Sequence, residues 1–261
     1  MTRPSVISGT PVLLDNRAGN YRILPSGAAY CLAVVPDEGF EVVRLLLRPW
    51  LPLEQAYGFI EGHLKRIGRP IQAFCGIEMR VPAPLTFADW STFNGPYLEQ
   101  LHKWRLMYGD YSGICRSNIA LALHPPKTTS VCAFSFIAPA SASGVSFLLS
   151  GTADIDSKGK IIAEGDTSHA AMQQRARFTI DSVGACLTEL GFSWQDTTQI
   201  ALFHVAEIPD VWGPTMLGAM GDAVRHGVLV YRARPPIAGA EVELEARAVR
   251  QERVVATSSI N

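Results

Sequence analysis

Several side chains in this 261-residue sequence have the type and spacing for anion or proton chemistry. Glu78 and Arg80 alternate at the end of an apolar run, so on a strand they project from one face, as a surface ion pair or as a pair at a cavity mouth. Glu241, Glu243 and Glu245 alternate in the same way, as one solvated edge face would. Arg225 and His226 stand just before the apolar run 227–232, with a histidine that titrates near neutral pH. Arg175 and Arg177 lie in a helical pattern, where a solvated helix face is the simplest account. Asp166 is placed to cap that helix near Thr167 and Ser168. His204 sits mid-strand among apolar neighbours and reads as a core histidine. Cys115 lacks a sequence-adjacent histidine to activate it. Ser150-Gly151-Thr152 is not a GxSxG elbow, and neither GxGxxG nor GxxxxGK[ST] occurs.

Positioning such groups requires a core, and the composition supplies one: 48% hydrophobic and 18% charged residues, which excludes a disordered chain. Lys plus Arg (23) nearly equals Asp plus Glu (24), so no net positive field favours nucleic acid. No apolar run reaches bilayer length, and the N-terminal residues carry no apolar segment of the leader type, so no membrane partner is expected. Five cysteines without metal spacing read as buried, reduced thiols in a cytoplasmic protein.

The elements fall into two similar series. Residues 1–27 read as irregular. Strands are expected at 30–35, 40–47, 71–80, 115–123 and 130–137, with helices at 53–67 and 87–106. After a small, uncharged connection at 138–144, strands at 146–150 and 159–162, a helix at 167–190, a strand at 200–205, a helix at 211–224 and strands at 227–232 and 241–249 follow. In both series a strand leads through an acidic-Trp step (Asp89-Trp90; Asp210-Val211-Trp212) into a helix, and a Pro-Pro pair separates the last two strands. This order implies an internal duplication, with domains at 1–138 and 145–261.

The second series resembles the RidA family of imine and enamine deaminases. The resemblance is carried by Ser150-Gly151-Thr152, Gly159 with Gly165-Asp166, the helix end 187–196, the segment 200–212 and the closing run 239–246. The first series looks like a degenerate copy, through 87–104 and Arg116-Ser117-Asn118. The tandem arrangement is similar to chorismatases and to deaminases of 2-aminomuconate-type compounds. The resemblance implies an α+β fold of two RidA-like (chorismate-mutase-like) halves, each a mixed sheet with two helices on one face, assembled as a homotrimer.

It also implies chemistry. A RidA-type site holds a small anionic substrate by an arginine, while a glutamate on the next strand manages the proton and the water; no metal or cofactor is called for. In this sequence the arginine position falls on Arg116 and the glutamate position on Glu243, one in each half, so a mixed site would join them. Ser150, Gly151 and Thr152 would orient the substrate by backbone groups, with Arg80, Glu78, Arg225, His226 and Arg175 as further binding candidates. The implied reaction is hydrolytic deamination of an enamine or imine, best a 2-aminomuconate-like dicarboxylate with Arg80 as second clamp. The alternatives are a chorismatase-like hydrolase and a ligand-binding protein without turnover.

Overall fold

The computed structural model describes residues 12–206 and 215–257. An N-terminal arm of three strands, β1 (Leu14–Asn16), β2 (Tyr21–Leu24) and β3 (Ala33–Pro36), precedes the first repeat. That repeat runs β4 (Phe40–Pro52), α1 (Leu53–Arg66), β5 (Phe74–Val81), α2 (Phe87–Lys103), a small hairpin β6 (Met107–Tyr108) and β7 (Tyr111–Ser112), β8 (Cys115–Leu121) and β9 (Ser130–Pro139). The second runs β10 (Phe147–Leu149), β11 (Thr152–Ala153), α3 (His169–Glu189), β12 (Gln199–His204), β13 (Val228–Arg234) and β14 (Glu243–Ala248), and β15 (Gln251–Ala256) follows.

Strand order makes the duplication visible. The first half is ordered β4-β9-β5-β8 and the second β10-β14-β12-β13, each with one parallel pair (β5 with β8, β12 with β13). The halves join edge to edge where β13 pairs antiparallel with β8. Each half is also extended by a strand from the other end of the chain. The arm strand β3 pairs with β10, and β15 lies parallel to β4. Free edges of both repeats are thereby covered.

Helices pack on the outer faces. α1 and α2 cover the first half through Phe59, Ile60, Leu64, Tyr97 and Leu101, packed with Ile77, Met79 and Phe134. α3 covers the second through Met172, Ile180, Val183 and Leu187, packed with Leu202, Leu244 and Ala246. The caps follow from sequence: Thr86 accepts from the Asp89 amide, and Gly68 and Gly191 take φ of +70° and +79° just beyond α1 and α3. Ser168, rather than Asp166, caps α3, its hydroxyl accepting from the Ala171 amide; Asp166 accepts from the Ser168 amide instead.

Three expectations change. The strand expected at 159–162 is a turn held by a single Ile155–Ile161 bridge. The helix expected at 211–224 lies partly outside the described residues. Its described part is a π-type turn over 215–217, a helical turn, Gly218–Met220, and a 3-10 segment, Gly221–His226, with Gly221 at φ +54° interrupting a continuous helix. Among the described residues the second half thus carries one long helix. Residues 12–27 are not irregular throughout, since they supply β1 and β2. Tyr21 anchors this arm, its hydroxyl donating to the Phe74 and Gly113 carbonyls.

Candidate active site

Two neighbouring strands decide which side each candidate faces. In the β5–β8 register Ile77 lies beside Arg116 and Met79 beside Asn118, while Glu78 lies beside Ser117 and Arg80 beside Ile119. Ile77 and Met79 belong to the core under α1 and α2, so Arg116 and Asn118 face the helices. Glu78, Arg80 and Ser117 face the opposite way, towards the second half. On β14, Leu244 and Ala246 pack under α3, which turns Glu243, Glu245 and Arg247 towards the first half.

Arg116 begins β8 and is 4% exposed. Its Nη1 donates to Asn94 Oδ1 of α2 at 2.9 Å, and its guanidinium carbon lies 4.6, 4.7 and 5.8 Å from the ring centres of Trp90, Tyr97 and Tyr30. Nη2 is buried without a partner, and no carboxylate among the described residues pairs with the group. Burial pushes the guanidinium pKa down, although Tyr97 and Tyr30 partly counter it.

The strand start is bolted to the second half through residues singled out in the sequence. The Arg116 amide donates to Ser150 Oγ at 2.9 Å, Ser150 Oγ donates to the Cys31 carbonyl at 2.6 Å, and the Gly151 amide donates to the Arg116 carbonyl at 3.1 Å. Gly151 leaves the space that the Glu243 carboxylate occupies: a Cβ there would stand 2.0 Å from Glu243 Oε1. Thr152 pairs opposite Leu244 and Ala153 opposite Glu243. The Ser-Gly-Thr turn therefore lies between the Arg116 backbone and the Glu243 carboxylate.

Glu243 is 3% exposed. Burial first, and then Glu245, push its carboxyl well above the usual range, against the opposing pull of Arg80 and Arg116. Its protonated form is thus favoured, with two guanidinium groups within electrostatic reach. Tyr30 feels both sides of the cluster: burial raises its phenol, Arg116 lowers it and Glu243 raises it. Arg116 of the first half and Glu243 of the second thus share one neighbourhood.

The other candidates separate. Glu78 accepts from Arg44 Nη2 and Arg247 Nη1, each at 2.7 Å, and Arg44 also pairs with Glu252. Burial would raise Glu78, but Arg247 and Arg44 more than offset it and hold the carboxyl well below the usual range. Glu78 is consumed in an interstrand network between the halves. Arg80, contrary to the sequence reading, pairs with neither Glu78 nor the Arg116 side of the sheet. It hydrogen-bonds the Met79 carbonyl and lies 5.8 Å over the Phe203 ring, near Glu243 and Glu245. Glu245 bonds Ser117, and burial raises its carboxyl.

Arg175 is not on a solvated face. It is 1% exposed, and its Nη atoms are taken up by Asp154, Gly239, Ala163 and Asp166. Arg225 lies on the surface, paired with Asp222, and His226 beside it ends the same exposed 3-10 segment; neither joins the cluster. The helical break at Gly221 leaves this segment on the outside. Sequence reading gave no site role to Tyr30, placed in the strand expected at 30–35, or to Trp90 and Asn94, placed in the helix expected at 87–106. Only the Asp89-Trp90 step at the start of α2 hinted at them.

A hollow of about 400 Å³ lies elsewhere, against α3, lined by Ile180, Leu187, Phe192 and Trp194, and none of the candidate residues reaches it. A void of about 20 Å³ between the halves, room for one water, is lined by Glu78, Arg116, Ser117, Glu245 and Arg247.

Comparison with known proteins agrees in scope. A family model described as 2-aminomuconate deaminase CnbZ matches residues 13–253. The chain is 30% identical over 244 residues to a 2-amino-5-chloromuconate deaminase of Comamonas testosteroni, covering 91% of this chain and 96% of that one. Among solved structures, a chorismatase aligns over 90% of this chain and 78% of its own, at 12% identity and TM-score 0.46. A Rid-family protein, YyfB, of Yersinia pestis aligns over 43% of this chain and 83% of its own, at 14% identity and TM-score 0.30.

Proposed function

The chain belongs to the 2-aminomuconate deaminase CnbZ family, and from that premise we propose that it hydrolyses the C–N bond of a small anionic enamine or imine, with a 2-aminomuconate-like dicarboxylate as substrate and ammonia as product. The observation that carries this reading is Arg116: a buried guanidinium with an unpartnered Nη2 and no acid of its own. A cation held in that state is completed by a carboxylate from outside.

In this reading Arg116 holds the carboxylate next to the reacting carbon. Arg80 lies near Glu243 but on the sheet face turned away from Arg116, so the distal carboxylate is not assigned to it. Glu243 is protonated in the resting site and gives its proton to the enamine carbon, leaving an iminium. As a carboxylate it then takes a proton from water while the hydroxyl adds to the iminium carbon. Glu243 passes that proton to nitrogen, and collapse of the carbinolamine breaks the C–N bond to expel ammonia while the hydroxyl proton returns to Glu243, leaving an oxo acid and the protonated resting site. An iminium carbon is electrophilic without a Lewis acid, so the proposed reaction is metal-free. The same reading makes the protein a cytoplasmic homotrimer. Five buried cysteines suit a reducing compartment, and exposed Leu229 and Val230 on β13 suit a partner surface.

Incubation of purified protein with 2-aminomuconate should release ammonia stoichiometrically with substrate loss. Release of pyruvate from chorismate instead would assign the protein to the chorismatase-like alternative. Binding of either compound without product would assign it to the ligand-binding alternative.

A further inference from the structure

Two residues beyond Arg116, on the same helix-facing side of β8, stands a side chain that the proposed mechanism does not use. Asn118 is 4% exposed, and both its amide nitrogen and its amide oxygen are buried without a hydrogen-bond partner. Leaving a carboxamide unsatisfied in this way forfeits the solvation of each polar group, so a buried site keeps one only when something else completes it. The adjoining helix face repeats the pattern. The Tyr57 hydroxyl of α1 is also buried without a partner, and its phenol is in electrostatic contact with Arg116. Along a strand, alternate Cβ positions are about 6.6 Å apart. Arg116 and Asn118 are thus spaced to grip two adjacent groups of one small molecule.

We propose that Asn118 is the specificity residue for the substrate nitrogen: its Oδ1 accepts an N–H from the amine on the carbon bearing the carboxylate that Arg116 holds, and its Nδ2 donates to that carboxylate. The inference rests on the carboxylate-binding role given to Arg116 above. A carboxamide with both ends free fits a ligand that offers a donor and an acceptor side by side, as an α-amino unsaturated acid does. The oxo product offers only acceptors at that position, so Asn118 also weakens product binding and favours release.

The test uses two planar, isosteric acids, pyrrole-2-carboxylate and furan-2-carboxylate, which differ in carrying N–H or oxygen beside the carboxylate. Titration calorimetry of the wild-type protein should show pyrrole-2-carboxylate bound about tenfold or more tightly, the range expected for one satisfied against one orphaned group. In Asn118→Leu the preference should shrink to about twofold, pyrrole-2-carboxylate losing more affinity than furan-2-carboxylate, which forfeits only the Nδ2 contact to its carboxylate, with Asn118→Ala as a second variant should leucine disturb folding. Equal binding of the two acids by the wild-type protein, or a preference that survives in both variants, overturns the role of Asn118 and leaves that of Arg116 intact. Binding of neither acid overturns both.

Discussion

Arg116 is a cation kept out of water without an acid to balance it, which is costly for folding and useful for binding. Removing its charge should therefore separate stability from function. Arg116→Met is expected to raise the melting temperature or leave it unchanged while lowering kcat/KM by a hundredfold or more, through KM first. Arg116→Lys should not restore activity, because an ammonium cannot reproduce the two-pronged contact. A marked fall in melting temperature for Arg116→Met would mean that the guanidinium is structural. Glu243 carries the opposite imbalance, an acid pushed up mainly by burial and then by Glu245. As the proton donor it must be protonated, so kcat should fall as pH rises through its elevated pKa. Glu243→Gln should abolish that limb together with about a hundredfold or more of the rate, while circular dichroism stays unchanged. Full activity in this variant would remove Glu243 from the mechanism.

At the level of elements, the β10–β11 turn and the β14 strand set the site's spacing. Gly151→Ala puts a methyl group into the space of Glu243 Oε1, and turnover should drop with little change in fold. Activity equal to wild type would show that the carboxylate can move aside at no cost. The network of Glu78 with Arg44 and Arg247 ties β5 to β4 and β14. Its stability has a defined pH sign. Because the Glu78 carboxyl is held below its unfolded pKa of about 4.3, its contribution is present above that value and is lost as pH falls below it. Glu78→Gln leaves the buried Arg247 without its paired acid and Arg44 with Glu252 alone, and should destabilise by about 3–5 kcal/mol, measured by denaturant unfolding at neutral pH. The loss should narrow below pH 4. A difference that persists undiminished in acid would place the effect in packing.

For the whole molecule, the duplication explains why neither half has a complete set of groups. Arg116 has no glutamate at the matching place on β9, where Val131 stands, and the position matching Arg116 before β13 falls on Gly227–Val228. The halves join through β13 and β8, and the arm strand β3 and the terminal strand β15 bind them further. Leu229 and Val230, each 45% exposed, lie on β13 near that seam. If they form a subunit contact, sedimentation should report three copies of the 28.4-kDa chain, and Val230→Glu should yield single chains. A wild-type protein that sediments as one chain would end the trimer proposal.

The sequence alone determined most of the element series and the tandem repeat, which are readable because hydrophobic period, caps and turn residues act over a few positions of the chain. Arg116 and Glu243, on which the chemistry is proposed to rest, came from the family resemblance. It did not determine that Arg80 faces away from Arg116, that Arg175 is spent on Asp154 and nearby carbonyls, or that Asn118 and Tyr30 belong to the same neighbourhood as Arg116. Nor did it show that β15 returns to the first half. Those outcomes depend on register and on pairing between residues up to two hundred positions apart, and one step of register reverses the face of every side chain on a strand. Local pattern set which strands exist, and tertiary packing decided which of their side chains meet.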